Sequence, residues 1–131
     1  MDVFLDLFST QGRANRWWYF WHIVLDDLAV ITASVGLFML GVVTGSPLVV
    51  VPVLGVLAAG FWAGVCIIIK RLHDLDRPGW HWCLLAVPLY NIYLGLVLLF
   101  KKGSYGPNRF GRDPLSGAEA LEPGPISSTL Q

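Results

Sequence analysis

Six ionisable side chains within eight residues separate two long apolar segments in the middle of this chain. They occur in the stretch KRLHDLDRPGW and are Lys70, Arg71, His73, Asp74, Asp76 and Arg77. A loop that only orients a membrane protein needs lysine or arginine, because acids contribute little to orientation. A histidine beside an aspartate can also relay protons, since histidine titrates near neutral pH. The residue types therefore fit two hypotheses: an orienting loop with paired charges, or a site with its own chemistry.

A second group of polar side chains occurs at helical spacing in the first apolar segment. Its members are Asn15, Tyr19, His22 and Asp26. Residues at this spacing share one face of a helix, and an acid within a membrane is expected to face protein or water. We predict that Asp26 pairs with Arg71 or His73, the nearest bases once the first two apolar segments pack side by side. The candidate functional cluster is Asn15, Tyr19, His22, Asp26, Arg71, His73 and Asp74.

The acidic residues Asp26 and Asp27 are compatible with two positions of the first span in the membrane. A span that begins at Trp18 puts Asp26 about 12 Å further along the helix, below the headgroups. A span that begins at Leu28 leaves Asp26 and Asp27 in a wet interfacial helix. That shorter span has only about 17 residues, the low end of the usual range. Both placements remain open at this point.

The other basic side chains suggest contacts with phosphate. Arginine can bind phosphate through two parallel hydrogen bonds. The candidate contacts to anionic headgroups are Arg13, Arg16, Arg77, Lys101, Lys102 and Arg109. The histidines have no recognised metal-ligand spacing, and the sequence contains no nucleophile with a base, phosphate loop or nucleotide fingerprint. We therefore expect no metal and no cofactor, and an intramembrane enzyme ranks third, after a binding component and a pore or transporter.

Composition indicates a membrane protein. The chain has 131 residues, of which 55% are hydrophobic and 14% charged, whereas a soluble domain carries about 25% charged residues. Nine Lys+Arg balance nine Asp+Glu, which argues against nucleic acid as a partner. We predict an all-α, multi-pass integral membrane protein with its N-terminus in the cytosol. A single domain covers residues 1–114, and residues 115–131 form a disordered tail.

Three segments are long enough to span a bilayer, about 18–43, 48–69 and 80–100. A short amphipathic helix is predicted before them, with an apolar face made by Val3, Phe4, Leu7 and Phe8. The third segment contains Asn91 and also Pro88, and proline breaks a helix. It is therefore either a kinked span or a re-entrant hairpin. If the third segment is a full span, five basic residues lie on one side of the membrane and four on the other. If it is a hairpin, all nine lie on one side. The length of the segment favours the full span.

Gly60 and Gly64 form a GxxxG pattern in the second segment, and such spacing lets helices approach closely. It is a weak signal for self-association, so a homo-oligomer or a membrane-protein partner stays open. The most favoured role is a non-enzymatic component of the membrane that binds a partner or contacts lipid. The alternative is an oligomeric pore or a proton-coupled transporter that uses Asp26 and His73.

Three blocks of sequence resemble a known family. They are GRANR followed by aromatic residues, the RLHD and GW block, and GPNRFGRDP. They are similar to the bacterial inner-membrane family typified by YhaH and YhaI, which is classed as a domain of unknown function. The resemblance covers about residues 10–114, and Lys70, Asp76 and Pro78 depart from the family pattern. It implies a multi-pass membrane protein and carries over no activity.

Overall fold

The computed structural model describes residues 7–115. This part of the chain contains α1 (Arg16–Thr44), α2 (Val50–Asp74) and α3 (Pro88–Phe100), with 3₁₀ segments at Pro47–Val49 and Gly79–Ala86. The predicted all-α class is confirmed within this range, where the β-type pairing is limited to an isolated bridge between Asn108 and Gly111. Val3 and Phe4 of the predicted amphipathic helix lie outside the described residues, and so does the tail after Leu115.

α1 and α2 form an antiparallel pair. The side chain of Asn15 caps α1 by accepting a hydrogen bond from the backbone N–H of Trp18 at 2.8 Å. α1 ends at Gly45, whose φ of 64° suits glycine. Further along α2, a Cβ atom at Gly60 would overlap the side chain of Val30 on α1. Gly60 therefore lets the two helices of one chain approach closely, which is the packing role predicted for the GxxxG pattern.

Two helical stretches, Arg16–Thr44 and Pro47–Asp74, are long and apolar enough to cross a membrane. In the first stretch, no residue of the most apolar part is buried inside the protein. In the second stretch, 11% of the corresponding part is buried. Large side chains such as Leu28, Phe38 and Leu54 are at least half exposed. Such wide apolar exposure suits lipid, since soluble monomers rarely expose large contiguous apolar patches.

The third apolar segment turns back and does not form one spanning helix. It enters as the 3₁₀ segment Gly79–Ala86, breaks at the extended residue Val87 and returns as α3. The return is fixed by Arg71 at the end of α2, whose Nε donates to the carbonyl of Leu98 at 2.8 Å. The full span that length favoured is therefore wrong, and the hairpin alternative describes the structure.

Pro88 explains where this turn occurs. Proline lacks a backbone N–H and is well suited to the first position of a helix, so α3 begins there and does not continue the preceding segment. α3 has 13 residues and is therefore about 20 Å long, shorter than a hydrocarbon core of about 30 Å. A core of buried side chains forms at the end where the hairpin returns. It comprises Tyr19, Ile67, Leu72, Leu75, Leu94 and Leu98.

Candidate functional site

A buried cluster of charged side chains lies where α2 ends and the hairpin returns. Its three members are Arg13, Arg71 and Asp74, and we call it the arginine–aspartate cluster. Arg13 comes from the segment before α1, and the other two lie on the last turn of α2. The side chains are almost fully withdrawn from solvent, with relative exposures of 1% for Arg13, 0% for Arg71 and 4% for Asp74.

Arg71 joins four parts of the chain through one guanidinium group. It forms an ion pair with Asp74, three residues further along α2. Its Nη1 also donates to the carbonyl of Ala14 at 3.3 Å, while Nη2 donates to the carbonyl of Lys101. With the bond to Leu98 near the end of α3, the side chain holds the start of α1 and the returning hairpin together. The planar fork of arginine suits such multiple contacts better than lysine would.

Arg13 holds the loop after α3 against the same carboxylate. Its Nη2 donates to the Asp74 carboxylate at 3.1 Å and to the carbonyl of Ser104 at 2.7 Å. Its Nη1 donates to the carbonyl of Gly106 at 2.7 Å. A buried charge is tolerated when it is paired and hydrogen-bonded, and Arg13 satisfies both conditions. It is therefore unavailable to headgroups, which corrects its assignment as a headgroup contact.

The loop after α3 packs directly on Asp74. A Cβ atom at Gly103 would overlap the Asp74 carboxylate, so glycine is required for this close approach. The backbone N–H of Ser104 donates to the Asp74 carbonyl at 2.7 Å. Further along, backbone N–H groups of Leu115 and Gly106 donate to Asp113 and hold the pKa of that carboxyl below its usual value. The loop is thus fixed by polar contacts more than by apolar packing.

The predicted polar cluster separates into distinct places. Asn15 is the cap of α1, and Tyr19 lies in the apolar core. His22 stacks on Trp18 with a centroid distance of 3.8 Å and bonds to its carbonyl. Only Arg71 and Asp74 meet directly. The structure therefore does not assemble the seven residues into one site.

Asp26 is the clearest departure from the predicted cluster. It lies beside Gly64, where a Cβ atom would be 3.5 Å from its Oδ2. Gly64 precedes Arg71 by two turns of α2, or about 10 Å along the axis. The carboxylate therefore cannot pair with Arg71, and the predicted pairing is wrong.

His73 faces the loop after α3. Its ring stacks on Phe110 with a centroid distance of 3.9 Å and planes 5° apart, and Nδ1 lies 3.2 Å from the carbonyl of Gly12. Asp26 of α1 lies beside Gly64, and Gly64 precedes His73 by nine residues of α2, or about 14 Å along the helix axis. A proton relay between Asp26 and His73 therefore has no geometric support.

The remaining headgroup candidates occupy the surface around the cluster. Arg16, Lys101 and Lys102 are exposed, and Arg77 is partly buried. Arg109 is exposed and pairs with Asp76 at 3.3 Å. These groups can contact phosphate in water, in contrast to Arg13.

Some residues of the site were missed by sequence reasoning. Asn108 donates from Nδ2 to the carbonyl of His73 and to Ser104 Oγ, both at 2.9 Å. Lys70 is buried, and its Nζ lies 5.4 Å from the centre of the Trp18 ring, a cation–π contact. The available signal for Asn108 was the GPNRFGRDP block, which carries the family resemblance and from which only Arg109 was chosen as a candidate.

Two grooves lie on the surface of the helices. The first has a volume of about 680 Å³ and lies between the start of α1 and the end of α3. Its lining includes Arg16, Trp17, Phe20, Leu99 and Phe100. The second, of about 450 Å³, lies between α1, α2 and the 3₁₀ segment Gly79–Ala86, and Asp26 contributes to its wall. We call them the Arg16 groove and the Asp26 groove.

Comparisons with known proteins agree with the resemblance in the three sequence blocks. Residues 7–112 match the family described as "Protein of unknown function (DUF805)". The chain is 32% identical over 118 residues to Inner membrane protein YhaI of Escherichia coli (strain K12), covering 90% of this chain and 96% of YhaI. It is 33% identical over 121 residues to Inner membrane protein YhaH of the same strain, covering 87% of this chain and 97% of YhaH. No solved structure matches. The chain therefore belongs to the DUF805 family, together with these inner membrane proteins.

Proposed function

We propose that this protein is a non-enzymatic component of the bacterial inner membrane that binds anionic phospholipid on its cytosolic side. In this proposal α1 and α2 cross the bilayer, and the hairpin enters and leaves on the cytosolic side. The N-terminus and the loop after α2 then lie in the cytosol. The observation that carries the proposal is the position of the basic residues.

All nine lysine and arginine side chains lie at one end of the helix pair. They belong to the segment before α1, the first turn of α1, the end of α2, the following loop and the stretch after α3. Cytosolic segments of membrane proteins are enriched in lysine and arginine. Each such side chain near an anionic surface contributes roughly 1 kcal/mol of attraction. The distribution supports a cytosolic orientation and contact with anionic lipid.

The Arg16 groove has the chemistry of a lipid site. Arg16 is exposed at the start of α1, where its guanidinium can bind a phosphate through two hydrogen bonds. The groove wall continues with Trp17, Phe20 and Phe100, which offer an apolar surface for an acyl chain. Aromatic side chains of this kind are enriched at the level of the headgroups. The groove therefore supports a phospholipid with its phosphate on Arg16.

Native mass spectrometry of the purified protein with added phosphatidylglycerol or phosphatidylcholine tests the proposal. We expect phosphatidylglycerol to remain bound at lower concentrations, because only its headgroup is anionic overall. Arg16→Gln should remove much of this preference. Arg112→Gln is the matched control, since Arg112 is exposed but is not part of the groove. Equal retention of both lipids by the wild-type protein would reject the proposal.

A further inference from the structure

We propose that the Asp26 groove binds a hydrophobic organic cation, such as a lipophilic amine or a quaternary ammonium or phosphonium compound. The proposal is independent of the Arg16 groove and of anionic lipid. It depends on the shape of the groove, an unpaired carboxylate, two aromatic rings and the distribution of positive charge along the chain.

The groove has the size and composition of a small-molecule site. Its volume of about 450 Å³ falls within the range of roughly 300–1,000 Å³ that is usual for ligand pockets. Its walls are mostly apolar, with contributions from Ile23, Val30 and Leu85. The 3₁₀ segment closes one side and ends at Ala86, so the open length is limited. A long partner helix would need a continuous face, whereas a compact ligand would not.

Asp26 supplies the charge that such a cation needs, and the neighbouring Asp27 also lines the groove and adds a second negative charge. Within residues 7–115, no hydrogen bond or ion pair joins its carboxylate to another group. Gly64 faces it from α2, where a Cβ atom would lie 3.5 Å from Oδ2, so no side chain of α2 covers the carboxylate at this position. Asp26 is partly buried among mostly apolar walls, so a cation in the groove would form an ion pair that is screened less than one on an open surface.

Two aromatic rings line the same groove. Phe61 of α2 and Trp82 of the 3₁₀ segment meet edge to face, with ring centroids 6.2 Å apart. The faces of aromatic rings attract cations, and aromatic cages bind quaternary ammonium groups. The combination of a carboxylate and aromatic rings therefore favours an organic cation over an inorganic ion, which would require several oxygen ligands.

Within residues 7–115, no lysine or arginine forms an ion pair with Asp26. All nine lysine and arginine residues lie at the end of the helix pair, and Arg71 and Arg13 are committed to Asp74. Thr44 lies 18 residues beyond Asp26, or about 27 Å, so the acid is near one edge of a hydrocarbon core of about 30 Å. An amphiphilic cation could reach this depth from the interface.

Binding of tetraphenylphosphonium to the purified protein in lipid nanodiscs tests the proposal, with protein-free nanodiscs as the background. Tetraphenylborate has nearly the same shape and the opposite charge. We expect saturable binding of the cation and none of the anion. Asp26→Asn should weaken cation binding by about thirtyfold or more, because the charge partner is lost. Asp76→Asn is the matched control; it removes the same charge at an exposed site and should leave the affinity unchanged.

A second pair of variants makes the test independent of the folding of Asp26→Asn. Phe61→Leu keeps an apolar side chain but removes a ring, and should weaken binding about threefold or more. Trp62→Leu removes an exposed ring outside the groove and should have no effect. The proposal is overturned if wild-type protein does not bind the cation above background, if the anion binds equally well, or if neither Asp26→Asn nor Phe61→Leu weakens binding. The proposal is also overturned, in favour of a partner helix, if the wild-type protein binds no cation but copurifies with another protein that Asp26→Asn no longer retains.

Discussion

Arg71 and Asp74 form an ion pair across one turn at the end of α2, with relative side-chain exposures of 0% and 4%. The pair does more than neutralise charge, because each member also contacts a different part of the chain. Arg71 binds backbone carbonyls from the start of α1 and the returning hairpin. Asp74 binds Arg13 and the loop after α3. The charges in the RLHD block therefore hold together three separate parts of the fold.

Loss of the Asp74 charge should be strongly destabilising. Asp74→Asn leaves Arg13 and Arg71 buried with their shared counter-charge removed. Breaking a buried pair in this way costs about 3–5 kcal/mol of unfolding free energy. Thermal or denaturant unfolding in a mild detergent measures this.

Asp76→Asn is the matched control for that change. Asp76 and Arg109 are 53% and 56% exposed, and exposed pairs contribute about 0–1 kcal/mol. Asp76 also has a φ of 56°, a conformation that asparagine accepts. Equal destabilisation by Asp74→Asn and Asp76→Asn would show that the buried pair has no special role.

Gly103 should not tolerate a side chain. Gly103→Ala places a methyl group against the Asp74 carboxylate, and overpacking of this kind costs about 1–3 kcal/mol of unfolding free energy. Gly95→Ala is the control, because no atom lies within 4 Å of a Cβ built there. The two variants should therefore differ clearly in melting temperature. A Gly103→Ala protein as stable as Gly95→Ala would contradict the close approach of the loop to Asp74.

The GxxxG pattern should act within one chain. Gly60→Ala forces its methyl group against Val30, whose side chain is stiff at χ1, and should lower stability by about 1–3 kcal/mol. Combining it with Val30→Ala should restore part of that loss, since the second change removes the overlapping atoms. Gly55→Ala, in open space on the same helix, should be neutral.

The free energy of unfolding and the particle mass in detergent, measured on the same variants, distinguish helix packing within one chain from self-association. We expect the particle mass in detergent to be the same for wild type and Gly60→Ala. A change in mass without a change in stability would assign Gly60 to an interface between copies.

The two long helices could be predicted from the sequence because hydropathy and length suffice. The predicted second span, residues 48–69, lies within the stretch Pro47–Asp74. Gly60 of the GxxxG pattern lies against Val30 of α1. Tyr19, His22 and Asp26 lie in α1, whereas Asn15 is its cap. What spacing could not show was the depth of each residue relative to a base on α2. Asp26 therefore lies two turns of α2 away from Arg71.

The course of the third segment could not be decided from its length. Twenty-one residues fit either a span or a hairpin, and Pro88 breaks the helix in both cases. The charge distribution was the better guide, since the hairpin places all nine basic residues at one end. The partners of Arg71 were unpredictable for another reason. They include the carbonyls of Ala14, Leu98 and Lys101, and backbone carbonyls are alike in every residue type.

The central claim is that the hairpin returns the chain to the end at which it entered, and cysteine labelling tests this most directly. In a background of Cys66→Ala and Cys83→Ala, single cysteines are introduced as Thr44→Cys, Asp76→Cys and Arg112→Cys. A membrane-impermeant maleimide is applied to spheroplasts before and after lysis. We expect Thr44→Cys to react in intact spheroplasts, and Asp76→Cys and Arg112→Cys to react only after lysis. Reaction of Arg112→Cys together with Thr44→Cys before lysis would contradict the hairpin.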